Sequence, residues 1–281
     1  MYKVIKFLSA GSYASVYEIE DEFNMRFALK RIYRKIPVTT LEMHKFIDSD
    51  FIIQPLQLII TKNITLNIIY PLAVCDARTY FKQHFTFQQL AIFVSDALYG
   101  LNTIHKIQIS HRDIKLDNFL VFETGKKLSF KICDFGISQS YNTVSRNQPQ
   151  YTPIECIFKM PYTCQSDLYS FGIVLLKLLG VKFQIKSKFD QIDIVKSGQR
   201  QLVKTLKCIK NLKHKDLLQK RIQCRNEFFS LSNQCRNDKY DIFREMACLC
   251  LQMPCQRPTA ADLILMFENQ LGSIKEHRTL H

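Results

Sequence analysis

The rhythm of apolar and polar positions changes part-way along the chain. Up to Pro71, short apolar runs alternate with polar turns. Val4–Leu8, Ser15–Glu20, Arg26–Ile32, Leu56–Thr61 and Leu66–Tyr70 each have the length and content of a strand. From Phe87 the period lengthens. Phe87, Leu90, Ala91, Val94, Leu98 and Leu101 recur at spacings of three and four, which predicts a helix with one buried stripe. Leu168–Leu179 is apolar almost all round, so it predicts a helix buried in the middle of its surroundings. Strands first and helices afterwards predict an α+β protein, a small antiparallel β lobe followed by a larger helical lobe. The join falls near Pro71–Asp76.

Composition narrows the class without naming a function. The chain has 281 residues, 47% hydrophobic and 23% charged, enough to bury a substantial core. No run approaches the roughly 18 apolar residues that would span a membrane. The opening Met1–Glu20 has a strand pattern rather than a charged region and an apolar signal core, which predicts an intracellular protein of the cytoplasm or nucleus. Ten cysteines are scattered, with no CxxC pair, so reduced and mostly buried thiols are expected rather than a zinc site.

The net charge of +14 is unevenly spread. Between Lys182 and Arg225, thirteen Lys or Arg stand against three Asp, a local balance of +10. Its lysines interleave with Ile, Val, Leu and Phe, which fits an amphipathic helical subdomain with a solvated basic face. The functional alternative is docking of an acidic partner, an acidic substrate or non-specific nucleic acid. No aromatic ladder accompanies the lysines, which disfavours specific binding of single strands.

Candidate chemistry is concentrated in the middle of the chain. His111-Arg112-Asp113-Ile114-Lys115-Leu116-Asp117-Asn118 is followed, sixteen residues after Asn118, by Asp134-Phe135-Gly136. Together they resemble the catalytic loop and metal-binding loop of the eukaryotic protein kinases. Phe27-Ala28-Leu29-Lys30 is similar to the strand-borne lysine motif of that family. Leu8-Ser9-Ala10-Gly11-Ser12-Tyr13-Ala14-Ser15-Val16 aligns with its glycine-rich loop.

The resemblance runs from Leu8 to about Leu265 and implies one bilobal kinase domain over 1–281. Residues 1–70 would form the β lobe with one helix, 71–76 the connection, and 77–281 the helical lobe, with the basic segment 182–225 inside it. It implies an ATP-dependent, magnesium-dependent transfer of phosphate to serine or threonine of a protein substrate, with no membrane partner. Asp113 would orient, or take the proton of, the attacking hydroxyl. Asn118 and Asp134 would supply hard oxygen ligands to Mg²⁺. Lys115 would sit on the transferring phosphate, and it is the reason for preferring serine and threonine over tyrosine. Lys30 would reach the α- and β-phosphates, with Glu42 as its partner, since Glu42 is the one glutamate between Lys30 and Tyr70. Leu8, Gly11, Val16 and Ala28 would line the nucleotide. Tyr70 would close the rear of the adenine pocket, while Pro71 and Ala73 would present backbone to the base.

The resemblance also implies supports outside the chemistry. Glu155 would pair with Arg257 in a buried structural ion pair, and Asp167 would brace the backbone of the catalytic loop. Thr143 and Ser145 stand in the segment Asp134–Glu155, where such enzymes are phosphorylated, and Arg112 is the residue that would meet such a phosphate.

Departures from the pattern are clear. Ser9 and Ala14 replace two of the three loop glycines, Gln148 replaces a threonine, and Pro153-Ile154-Glu155 retains only the glutamate of its motif. They leave two rivals to an active kinase. One is a pseudokinase that binds or scaffolds without turnover, and the other a nucleic-acid-binding protein on the same scaffold. Lys30, Asp113, Asn118 and Asp134 are all present, and this favours catalysis.

Overall fold

The computed structural model of the chain describes residues 2–11, 14–33, 47–61, 66–134, 151, 153–157, 161–180, 240–252 and 254–271. Glu42, Tyr13, Phe135, Gly136, Thr143, Ser145, Gln148, the expected helix of the β lobe and the basic segment 182–225 lie outside the described residues. The described residues fall into two compact units. Residues 112–115 and those from Tyr151 to Gln270 form the second, and the others form the first.

The first unit opens with five strands, β1 (Lys3–Ala10), β2 (Ala14–Glu20), β3 (Arg26–Ile32), β4 (Gln57–Ile60) and β5 (Leu66–Pro71). They pair antiparallel in the order β1-β2-β3-β5-β4. All five expected strands are present; β3 has the expected ends and no other end is moved by more than two residues. Between β2 and β3 the chain reverses at Asn24, whose φ of +60° suits asparagine, while Asp21 Oδ1 accepts from the backbone N–H groups of Phe23 and Met25.

Because side chains alternate across a strand, the sheet has two sets of apolar positions. Ile19, Leu29 and Ile69 pack on one face. Ala14, Ile32, Ile68 and Tyr70 pack on the other with Ile53, joined by Ala28, Leu120 and Cys133. Lys30 lies between Ala28 and Ile32 in the alternation of β3, and the register sets it opposite Val16 and Ile68. The face that carries Lys30 is therefore the Tyr70 face.

A second sheet in the same unit comprises β6 (Cys75–Asp76), β7 (Phe119–Thr124) and β8 (Lys127–Ile132). A short helix α1 (Ala77–Tyr80) follows β6, capped by Asp76, whose Oδ1 accepts from Thr79 N at 2.7 Å. Helix α2 (Phe87–Lys106) starts at Thr86, where Thr86 Oγ1 accepts from Gln89 N and Gln89 Oε1 accepts from Thr86 N. Its stripe buries Leu90, Ala91, Val94, Leu98 and Leu101, as the periodicity predicts, while Phe87 is only half-buried at the first turn and Phe93 and Ile104 join the buried face. Phe93 meets Phe81, Phe119 and Phe130 edge-on at 5.1–5.3 Å between ring centres. Gly100 lets α2 approach β8 closely. A Cβ there would lie 2.7 Å from Ile132 Cδ1 and 3.1 Å from the Phe51 carbonyl oxygen. A buried carboxylate, Asp96, accepts from Phe130 N at 2.9 Å and ties the same helix to β8.

The second unit holds α3 (Ile154–Ile157), α4 (Cys164–Leu178), α5 (Asp241–Cys250) and, as far as Gln270, α6 (Ala260–Leu271). Helix α4 begins four residues earlier than its apolar run, because Thr163 N donates to Ser166 Oγ at 3.1 Å and extends the first turn. Gly172 sits where α4 meets α5, and a Cβ there would stand 2.7 Å from Cys250 Cβ and 3.2 Å from the Ala247 carbonyl oxygen. At the end of α4, Gly180 takes a φ of +79°, the left-handed conformation that closes helices. Among the described residues no helix is long and apolar enough to cross a membrane.

Candidate active site

On the first unit, strand β3 carries Lys30 and the residue after β8 and Cys133 is Asp134. Lys30 Nζ donates to Asp134 Oδ1 at 2.9 Å. Both groups are open to solvent, with side chains 24% and 48% exposed. Among the described residues Lys30 pairs with Asp134, and the expected Glu42 lies outside them. Val16 faces Lys30 across the β2–β3 pair, and Ala28 faces Tyr70 across β3–β5. Tyr70 is buried, and burial pushes its phenol well up, with the charge of Asp134 adding to the shift. The ring therefore stays neutral.

Pro71 closes β5 and Ala73 follows it half-buried, while Val74 N is engaged by Val121 O at 2.9 Å. Leu120 on β7 packs against the Tyr70 cluster. The alternation of β7 does not single this leucine out, since its contacts come only from the folded chain.

Leu8 lies on β1, the edge strand of the sheet, and Gly11 follows directly after its end. Gly11 N donates to Ala14 O at 2.8 Å. A Cβ on Gly11 would meet nothing nearer than that same oxygen at 3.9 Å, and its φ is not left-handed. The fold alone does not require glycine there, whereas close approach of a ligand to the backbone would. At the position of the third family glycine, Ala14 is buried in the Tyr70 cluster.

Asn118 ends a 3₁₀ turn (Leu116–Asn118), and β7 begins at the next residue, Phe119. It is buried, and its carbonyl accepts from Cys133 N at 2.9 Å, which holds the Asn118 and Asp134 stretches side by side. His111, fully buried, donates from Nε2 to Cys133 O at 2.9 Å and ties the start of the loop to the same strand end. An amide oxygen and a carboxylate form the hard, partly open donor set that Mg²⁺ accepts alongside phosphate oxygens and water. In this respect Asn118 and Asp134 fit a magnesium nucleotide.

On the second unit, Lys115 Nζ donates to Asp113 Oδ2 at 2.6 Å, with both side chains largely buried. Arg112, the residue before Asp113, has a φ of +71°, and on the first unit Asp134 has +66°. For residues with a Cβ this conformation costs about 1–3 kcal/mol and persists only where the surroundings impose it. At Arg112 the surroundings are visible. Its backbone N–H donates to Asp167 Oδ1 at 2.8 Å, and Asp167 is fully buried at the start of α4. The same oxygen accepts from Tyr162 Oη at 2.7 Å, and the Arg112 guanidinium lies 5.7 Å from the centre of the Tyr162 ring. Burial, followed by the charge and hydrogen bond of Asp167, raises Tyr162 well above its ordinary value, so it remains a donor. The brace implied by resemblance for Asp167 is present, and Tyr162 is its unforeseen second half.

The implied pair of Glu155 and Arg257 is present as well. Arg257 donates to both carboxylate oxygens, at 2.8 and 3.2 Å, and also to the carbonyls of Gln165 and Gln252. Ser166 Oγ donates to Glu155 Oε1 at 2.7 Å. Burial alone would raise Glu155, but Arg257 and Ser166 outweigh it and hold the carboxyl below the ordinary range.

Comparison with known proteins agrees with these observations. The protein kinase domain family matches residues 2–266. A serine/threonine-protein kinase H1 homolog of Pinctada fucata is 24% identical over 192 residues, 63% of this chain and 46% of that one. Serine/threonine-protein kinase H2 of Homo sapiens is 23% identical over 195 residues, 63% of this chain and 50% of that one. Serine/threonine-protein kinase pakE of Dictyostelium discoideum is 36% identical over 97 residues, 32% of this chain and 10% of that one. The chain matches no more than half the length of each of these relatives.

Proposed function

The chain belongs to the protein kinase family, and from that premise we propose that it transfers the γ-phosphate of ATP to serine or threonine hydroxyls of a protein. The observation that carries the proposal is the contact of Lys30 with Asp134, a phosphate-seeking cation beside a metal-seeking carboxylate, both open to solvent. Serine/threonine kinases among the similar proteins and the Lys115–Asp113 pair support the choice of acceptor.

In this reading the Tyr70 face of the sheet takes the nucleotide. Val16, Ala28 and Leu120 hold the base between them, Leu8 and Gly11 cover it, and the backbone at Pro71 and Ala73 pairs with its edge. Lys30 orients the α- and β-phosphates. Asn118 and Asp134 would hold Mg²⁺, which when bound neutralises charge on the phosphates. Asp113 orients the substrate hydroxyl and takes its proton as the oxygen attacks the γ-phosphorus. The bond from that phosphorus to the bridging oxygen breaks, and ADP leaves. Lys115 balances the charge of Asp113 and of the moving phosphoryl group.

The test is transfer of labelled phosphate from Mg²⁺-ATP to generic protein substrates, with Asp113→Asn alongside. Label on serine and threonine, reduced at least ~100-fold in the variant, is the expected result. Label on tyrosine would remove the role given to Lys115. A folded protein that binds ATP and transfers nothing under any activating condition would be a pseudokinase.

A further inference from the structure

We propose that Arg78, outside every motif of the chain, is a positioning residue that sets Asn118 for the metal. The inference rests on the metal role of Asn118 proposed above. Arg78 stands on α1, a four-residue helix anchored by fully buried Ala77 and capped by Asp76. Its Nε donates to Asp117 Oδ1 at 2.7 Å and its terminal nitrogen to Oδ2 at 2.6 Å. A planar fork meeting both carboxylate oxygens fixes direction as well as distance, which a lysine ammonium does not.

The attachment point gives this pair its consequence. Asp117 is the middle residue of the Leu116–Asn118 turn, and its neighbours Leu116 and Asn118 are both buried while it faces outward. On one side of Asn118 the backbone is fixed by Cys133 N and by the pairing of β7 with β6 and β8. On the other side, Arg78 holds the turn through Asp117. The link is compact, because α1 leaves β6 directly and Asp76, its cap, is paired with Leu120 two residues beyond Asn118. The pair closes a ring from β6 through α1, Arg78 and Asp117 to β7. Side chains that orient a metal ligand from outside the ligand set matter for metal binding although they never touch the ion.

Lys115, two residues before Asp117, donates to Asp113, so the charges of this stretch are divided between two separate pairs. Loss of Arg78 would leave Asp117 as a free carboxylate next to the ligand and release the turn to rotate. The nucleotide face of the sheet, with Lys30 and Tyr70, would be untouched.

The experiment measures ATP affinity of the whole chain with Mg²⁺ and with chelator, and takes the ratio as the metal-dependent gain. Arg78→Ala should cut that gain about tenfold and leave metal-free ATP affinity and Tm unchanged. Arg78→Lys should restore only part of it, and the charge swap Arg78→Asp with Asp117→Arg should restore most. Should Arg78→Ala fail to fold, Asp117→Asn, similar in size, reads the same effect. An unchanged gain in Arg78→Ala overturns the proposal. An equal loss with and without metal does so too, because it marks a merely structural role. Asn118→Ala separates this from failure of the underlying reading. If that variant keeps the full gain, Asn118 is not a metal ligand and the proposal falls with it.

Discussion

Two ion pairs, one in each unit, join distant parts of the chain and have opposite surroundings. Lys30 and Asp134 are 104 residues apart and meet on an open face, their side chains a quarter and a half exposed. Glu155 and Arg257 are 102 residues apart and meet in the dry interior, 2% and 0% exposed. The second pair is saturated, since Ser166 and the carbonyls of Gln165 and Gln252 take up its remaining hydrogen-bonding capacity. Removing either member leaves a buried charge. The first pair lies in water, where a single contact between charges is worth little to stability. Accessible charge of both signs is what a ligand carrying phosphate and metal can use. A buried, fully satisfied pair can only hold the fold.

The contrast can be broken from either side. Arg257→Ala strands Glu155 and should lower unfolding stability by about 3–5 kcal/mol, read by denaturant titration. Lys30→Met should reverse the balance of effects. Stability should stay within about 0.5 kcal/mol of the parent, while phosphate transfer at saturating ATP falls ~100-fold or more. Near-normal activity in Lys30→Met would remove the accessible pair from the chemistry. Gly11→Ala probes the same face more gently. Its Cβ enters open space, so Tm should hold, and KM for ATP should rise several-fold because the methyl group meets the nucleotide.

The smallest effect is a pH dependence. Glu155 is held below its ordinary value in the fold, so its contribution is complete above the unfolded carboxylate pKa of about 4.3. It is lost as pH falls through the lower folded value. Stability measured from neutral pH down through that window should therefore fall more steeply in the parent than in Glu155→Gln.

Much of this arrangement is legible in the sequence, though unevenly. The strands of the first sheet and the stripe of α2 follow from periodicity, which is local. Glu155–Arg257 and the Asp167 brace came through resemblance, because they connect residues that motifs already mark. Lys30 with Asp134, Tyr162 on Asp167 and Arg78 on Asp117 are visible only in the folded chain. Tyr162 and Arg78 belong to no motif, and for a lysine on a strand such as β3 the sequence does not say which acid it will meet.

The sequence by itself determined which chemical groups exist and in what local order: a histidine, arginine, aspartate, lysine and asparagine in one loop, an aspartate sixteen residues on, and a lysine on a strand. These are close along the chain, and their spacing is carried by covalent geometry and the two-residue period of a strand. Tertiary structure alone decided which charges meet, which are dry and which stay open to a ligand. Electrostatic strength depends on separation and on exclusion of water, and neither quantity is defined until the backbone has brought β3 to the end of β8 and α1 to the turn before β7.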